Sequence, residues 1–301
     1  MKTTWETASA PTSVMSETTK KKLSDIIVPY NSFDVTNNML RDFCKEGKAS
    51  AVRFLLLKGC NPGTKKRPRS APLLVAIQGA SERHNKCVRE LIKYDVDVNV
   101  RKKGSRNPAL HLAIENAGSD SYVKLIWLLV NAGANLDSLD SNGDTALTKL
   151  FSGEDSWPLE RHRLEALALL LQGGVQVNYQ APGTGNTPLH LAVRRKDKWA
   201  VAMLLYQGAD VNAKNYAGST PLQVTANQFR GDLSPDHAQV LDLLLQADAS
   251  IDEPAGALRR TALHNAVASN TAYAVRLLLQ YGADPKLVDN EGRDAMQLAI
   301  Q

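Results

Sequence analysis

The sequence predicts an all-α solenoid, one elongated array of short helix–turn–helix units, where a length of 301 residues alone would suggest two globular domains. Three observations carry that prediction. A short opening pattern, fullest as TPLHLA at Thr187, returns along most of the chain. A leucine-rich closing pattern, LLYQGADVN from Leu204, returns in step with it. Each unit between an opening and a closing is too short to bury a core alone and must borrow one from its neighbours.

Taken in order, residues 1–33 begin MKTTWETASAPTSVM, are rich in Ser and Thr, and lack the apolar core of a secretory signal. They read as a disordered tail. The array spans 34–301. Its first unit, near Asn38 (NMLRDFC), is degenerate, with Arg41 where other openings carry His and Phe43 where they carry Ala. It reads as an N-terminal cap whose outer face need not mate with another unit. Openings then follow at Ala71 (APLLVA), Pro108 (NPALHLA), Thr145 (TALTKL), Thr187, Thr220 (TPLQVTA), Thr261 (TALHNAV) and Asp294 (DAMQLAI).

Successive openings lie 33, 37, 37, 42, 33, 41 and 33 residues apart, so the minimum period is 33 and longer units differ by insertion. Within the Thr187 unit, Thr187 suits a helix N-cap and Pro188 the first helical position. Leu189, Ala192 and Val193 mark a first helix; Val201, Leu204 and Leu205 mark the buried face of a second. Gly208 supplies the left-handed residue that ends it. Asp95 and Asp248 stand where Gly ends most of the other second helices, a tolerable exchange because Asp visits that region more readily than most residues. The chain ends at Gln301 inside the first helix of an eighth unit, read as a C-terminal cap, with a fragment of a longer protein as the alternative.

These openings and the 33-residue period resemble the ankyrin repeat, over residues 38–301. The resemblance implies two antiparallel helices per unit followed by a hairpin-like loop projecting sideways. Stacked loops and first helices would line a concave groove that in this family most often binds other proteins. It also implies that His111, His190 and His264, which share one motif position, tie adjacent loops together. Asn99, Asn178 and Asn212 share another position and read as loop-bonding side chains, with asparaginyl hydroxylation as the alternative.

Composition narrows the chemistry. No apolar run is long enough to span a membrane. Cys44, Cys60 and Cys87 form no C-x-x-C pair, which points to small thiols in a reducing compartment, cytoplasmic or nuclear. No metal or cofactor is expected: Cys87 has His84 near it but no second pair to complete a site. The chain carries no G-x-S-x-G, H-E-x-x-H or G-x-x-x-x-G-K-[ST] pattern, and APGTGNT, at 181–187, lacks the lysine of a phosphate loop. Enzymatic activity is not expected. Asp137, Asp140 and Asp144 read as solvated turn residues, too sparse for calcium.

Charge points to a binding edge. Through Leu110 the chain holds 21 basic and 10 acidic residues (+11), leaving 36−21=15 basic and 31−10=21 acidic residues (−6) for the remainder. Two successive connecting loops concentrate the excess: TKKRPRS with Lys65, Lys66, Arg67 and Arg69, and VRKKGSR with Arg101, Lys102, Lys103 and Arg106. The next loop, LDSLDSNGD, is acidic, and such an order would fix a partner's direction as well as its sign.

The expected function is a monomeric, non-catalytic scaffold or adaptor binding an acidic or phosphorylated protein. One alternative is the regulatory part of a larger enzyme, channel or receptor. Another, nucleic-acid binding, is weakened by the lack of an aromatic platform among the basic residues. KKRPR resembles a nuclear-import signal. Insertions between the two helices of a unit (HNK, SDSY, GEDSWPLERHR and QFRGDLSPDH) would emerge on one face, where Trp157 is a candidate anchor.

Overall fold

The computed structural model describes residues 33–63, 72–79, 81–104, 106–115, 120–152, 160–228 and 234–300. The tail at 1–32, the TKKRPRS loop with Lys65, Lys66, Arg67 and Arg69, and Trp157 lie outside the described residues. Among the described residues the regular structure is helical, and extended pairing is limited to two isolated bridges, Arg101 with Pro108 and Ala255 with Arg260. No helix among them is long and apolar enough to cross a membrane.

The helices are α1 Phe33–Lys45, α2 Ala49–Leu57, α3 Pro72–Gln78, α4 Glu82–Ile92, α5 Ala109–Glu115, α6 Asp120–Asn131, α7 Ala146–Ser152 and α8 Glu160–Gln172. They continue as α9 Pro188–Arg194, α10 Lys198–Tyr206, α11 Pro221–Ala226, α12 Pro235–Gln246, α13 Ala262–Ala268, α14 Ala272–Gln280 and α15 Ala295–Ala299. Odd-numbered helices pack on one another in a first row, even-numbered helices in a second, and each first helix packs on the second helix that follows it. The result is a two-layered solenoid.

Local chemistry sets each boundary. The side chains of Thr187, Thr220, Thr261 and Asp294 accept from the backbone N–H three residues on, and His190, Gln223, His264 and Gln297 reach back to the cap's own N–H. Each such reciprocal cap satisfies two donors that a helix start would otherwise leave open. The second helices end in left-handed residues, Gly208 at φ 82 and, as their type allows, Asp95 at φ 54 and Asp248 at φ 59. Four residues before each such turn sits a leucine: Leu55, Leu91, Leu129, Leu170, Leu204, Leu244 and Leu278, all with no exposed surface. That spine runs the length of the second row. Ala76, Ala113, Ala192 and Ala266, at one position of the first helices, are equally buried and hold the first row together.

The insertions are not simply loops. Much of the inserted sequence lengthens the second helices: α4, α6, α8 and α12 have 11, 12, 13 and 12 residues, against 9 in α2, α10 and α14. Asn85, His162, Arg163 and His237, all from inserted stretches, are buried. Arg163 on α8 pairs with Asp197, the N-cap of α10, at 2.7 Å.

Candidate functional site

The projecting loops are joined into a continuous edge by hydrogen bonds between neighbours. Asn99 donates from Nδ2 to the Gly133 carbonyl and accepts at Oδ1 from the Asn135 N–H. Asn178 does the same with Gly208 and Asp210, and Asn212 with Asp248 and Ser250. Both ends of these amides serve the next unit. The histidines add a second rail: Nε2 of His111, His190 and His264 meets the carbonyls of Asp144, Ser219 and Arg293 at 2.8, 2.9 and 3.1 Å. A carbonyl partner requires Nε2 to carry a proton and donate, and in His190 and His264 Nδ1 accepts from the Thr187 and Thr261 N–H groups. Burial lowers the pKa of His111 and His190. His111 Nδ1 has no partner, because Pro108 stands where Thr187 and Thr261 offer a hydroxyl to His190 and His264.

The basic finger spans 101–107, outside Ser105, and is a tight hairpin. Lys102 N–H donates to the Asn107 carbonyl and Arg106 N–H to the Lys102 carbonyl, both at 2.9 Å. Gly104 and Arg106 are both left-handed, at φ 91 and 56. Arg101, Lys102, Lys103, Gly104 and Arg106 line one open depression. Arg101 is not a free contact residue: its Nη1 donates to the carbonyls of Arg106, at 3.1 Å, and of Leu139 in the next finger, at 2.7 Å. Gln180 occupies the matching place in its own finger and donates to the Lys214 carbonyl at 2.8 Å. Lys102, Lys103 and Arg106 form no ion pair among the described residues. They are the cations this finger presents.

The neighbouring acidic finger is corrected by the structure. Asp140 is buried, not solvated: its Oδ1 accepts from the N–H groups of Asn142 and Asp144, and its Oδ2 takes Lys149 Nζ at 3.0 Å. Burial would raise its pKa, but the Lys149 ammonium and the two N–H donors hold the carboxyl below its usual range. Lys149 also meets Glu115 at 3.3 Å. Asn215 and Asp289 close their fingers in the same way, each accepting from the N–H groups two and four residues on. Asp137 is exposed, but its Oδ1 accepts from the Gln176 N–H.

The remaining reactive groups are also engaged. His84 bonds Ser81 Oγ at 2.6 Å and the Lys45 carbonyl at 3.0 Å, and His237 Nε2 meets the Thr225 carbonyl at 3.1 Å. Both rings, though carried by inserted stretches, are anchored to backbone carbonyls. Cys44 and Cys87 are buried thiols, raised in pKa by burial, Cys87 to about 12. Cys60 is half-buried. No group of three or more His, Cys, Asp or Glu able to hold a metal occurs among the described residues.

A stack of paired helices with a laced row of fingers is a recognition solenoid, and comparison with known proteins gives it a family. A family model of ankyrin repeats, in three copies, matches residues 40–140, 117–215 and 232–301. The chain belongs to the ankyrin-repeat family, and ankyrin repeats are a protein–protein interaction domain. It is 32% identical over 239 residues to human Ankyrin repeat and SOCS box protein 16, covering 79% of this chain and 49% of that protein. It is 25% identical over 319 residues to the human Transient receptor potential cation channel subfamily A member 1, covering 92% of this chain and 27% of the channel. The chain thus spans about half or less of the length of these relatives. Among solved structures, the ankyrin repeat domain of Bcl-3, described as a unique member of the IkappaB protein family, matches with a TM-score of 0.61 at 25% identity. That match covers 77% of this chain and 94% of the Bcl-3 domain. The human ASB11 ankyrin repeat domain matches with a TM-score of 0.56 at 23% identity, covering 76% and 92%, and speaks to the fold alone.

Proposed function

We propose that the chain is a non-catalytic scaffold or adaptor that acts as a monomer inside the cell, in the cytoplasm or nucleus, and holds an acidic or phosphorylated protein along its finger edge. The observation that carries this reading is the division of labour within the finger at 101–106. Arg101 fixes the finger to its neighbour, while Lys102, Lys103 and Arg106 remain without carboxylate partners among the described residues. The Lys65, Lys66, Arg67 and Arg69 run, one loop earlier in sequence, would extend the same positive edge. Rigidity supports the reading as well: a finger row laced by Asn and His rails loses little freedom on binding.

A second reading, the regulatory portion of a larger enzyme, channel or receptor, draws support from the length of the relatives, one of them a cation channel. Crosslinking mass spectrometry in the native cell tests the first reading. Crosslinks to one protein from Lys102 and Lys103 are the expected result. Crosslinks confined to Lys124 and Lys198 on the second-helix row would overturn it.

A further inference from the structure

We infer that Lys102, Lys103, Gly104 and Arg106 of the basic finger form a phosphoryl-group site, so that the partner is recognised through a phosphorylated side chain and not through clustered carboxylates. This rests on the reading that the edge binds a protein. Lys102, Lys103, Gly104 and Arg106 line one depression and bring to it three kinds of donor: two ammonium groups, one guanidinium, and the N–H groups of Lys103 and Gly104, which donate to nothing among the described residues. Arg101 adds a fixed positive charge at the base through its two carbonyl bonds. A carboxylate has two oxygens in one plane and a single charge. A phosphoryl group has three terminal oxygens and nearly two charges, and it can take several such donors at once.

Backbone geometry adds to this. Arg106 holds a left-handed φ of 56 where the comparable finger has Gly185 at φ 69. An L-residue with a long side chain is disfavoured there, and a strained conformation of this kind points to a use for the side chain. Arg259 shares that conformation at φ 49, but in its finger Arg260 is tied to Asp289, so it lacks the surrounding donors. It is the natural control.

Neighbouring charge decides the source of the phosphate. An anionic membrane or nucleic acid laid across the edge would meet the exposed Asp137 carboxylate near the next finger. A single phosphorylated residue on an extended peptide can occupy one finger and avoid it.

The experiment uses the full chain, labelled for amide NMR. The probes are a short Gly/Ala peptide with one phosphoserine, the same peptide with Asp or Ser in its place, and phosphatidylcholine vesicles with about 30% phosphatidylserine. The expected result is a saturable shift of the Lys103 and Gly104 amides with the phosphopeptide, at least about tenfold weaker with the Asp peptide and absent with Ser. K102E/R106E should abolish the shift, and R259E should leave it intact. Equal response to the Asp peptide, survival of the shift in K102E/R106E, or tighter binding of vesicles would overturn the inference. If K102E/R106E still loses the partner found by crosslinking while the phosphopeptide gives no shift, the protein-binding reading stands and the phosphoryl site falls.

Discussion

Removing the Asp197 carboxylate tests how the insertion in the Thr145 unit is built into the array. Asp197 is 2% exposed; its Oδ1 accepts the Ala200 N–H at 3.0 Å as the cap of α10, and its Oδ2 takes Arg163 Nη2 at 2.7 Å. Arg163 is itself 8% exposed, its Nε has no partner, and Glu160 stands 3.9 Å away. Asp197→Ala therefore strands a buried guanidinium, at a cost of about 3–5 kcal/mol, and removes a cap that contributes about 1 kcal/mol. Arg163→Met leaves the cap in place and removes the stranded charge, so the double variant should be more stable than the sum of the two losses by about 2 kcal/mol or more. Urea unfolding followed by circular dichroism gives the energies. Hydrogen exchange in α8 and α10 shows whether the loss is local, because a one-dimensional array can open in part. A cost below about 1 kcal/mol for Asp197→Ala, or strict additivity in the double variant, would refute the reasoning.

Three further outcomes follow from the same structure. Burial lowers the pKa of His111, His190 and His237 from 6.5, so below that value the unfolded chain takes up protons that the folded chain refuses. Stability should be flat above about pH 7 and fall as pH drops below 6.5, by up to about 1.4 kcal/mol per pH unit for each ring, as read by urea midpoints across pH. Asp95→Gly and Asp248→Gly relieve left-handed strain and should each raise stability by roughly 0.5 kcal/mol, the gain being offset in part by the freedom of glycine in the unfolded chain. Gly185→Ala should cost at least about 1–3 kcal/mol in thermal or urea unfolding, because its Cβ would sit 2.6 Å from the Tyr216 backbone nitrogen at a φ of 69.

What could be read from the sequence was what each unit settles by itself. Thr187 as a cap, Gly208 and Asp95 as left-handed stops, and the leucine at 204 depend on residues within a few positions, and the period repeats them. What could not be read depends on register between units. Asp140 resembled a solvated turn residue because Lys149, which neutralises it, belongs to the following helix. Its signal was present in part: Asp140, Asn215 and Asp289 each stand five residues before an opening and three residues ahead of the glycine of the closing Gly-x pair. Arg101 resembled a contact residue because its acceptor, Leu139, lies 38 positions away. Superposing 99–108 on 178–187, which share one spacing, places Arg101 on Gln180 and would have exposed the shared strut. His84 and His237 were opaque for a simpler reason: their carbonyl partners come from a preceding helix end that no periodic rule addresses.

The claim that the finger edge is the binding surface is tested most directly by reversing its presented charges. Lys102→Glu, Lys103→Glu and Arg106→Glu are combined with Arg101 left in place, since its bonds to Arg106 and Leu139 hold the finger's shape. Affinity for the crosslinked partner is then measured by calorimetry at low and moderate salt. The account predicts a loss of at least about tenfold at low salt that shrinks as salt rises, with unfolding unchanged. An affinity equal to that of the unaltered chain at both salt concentrations would contradict it.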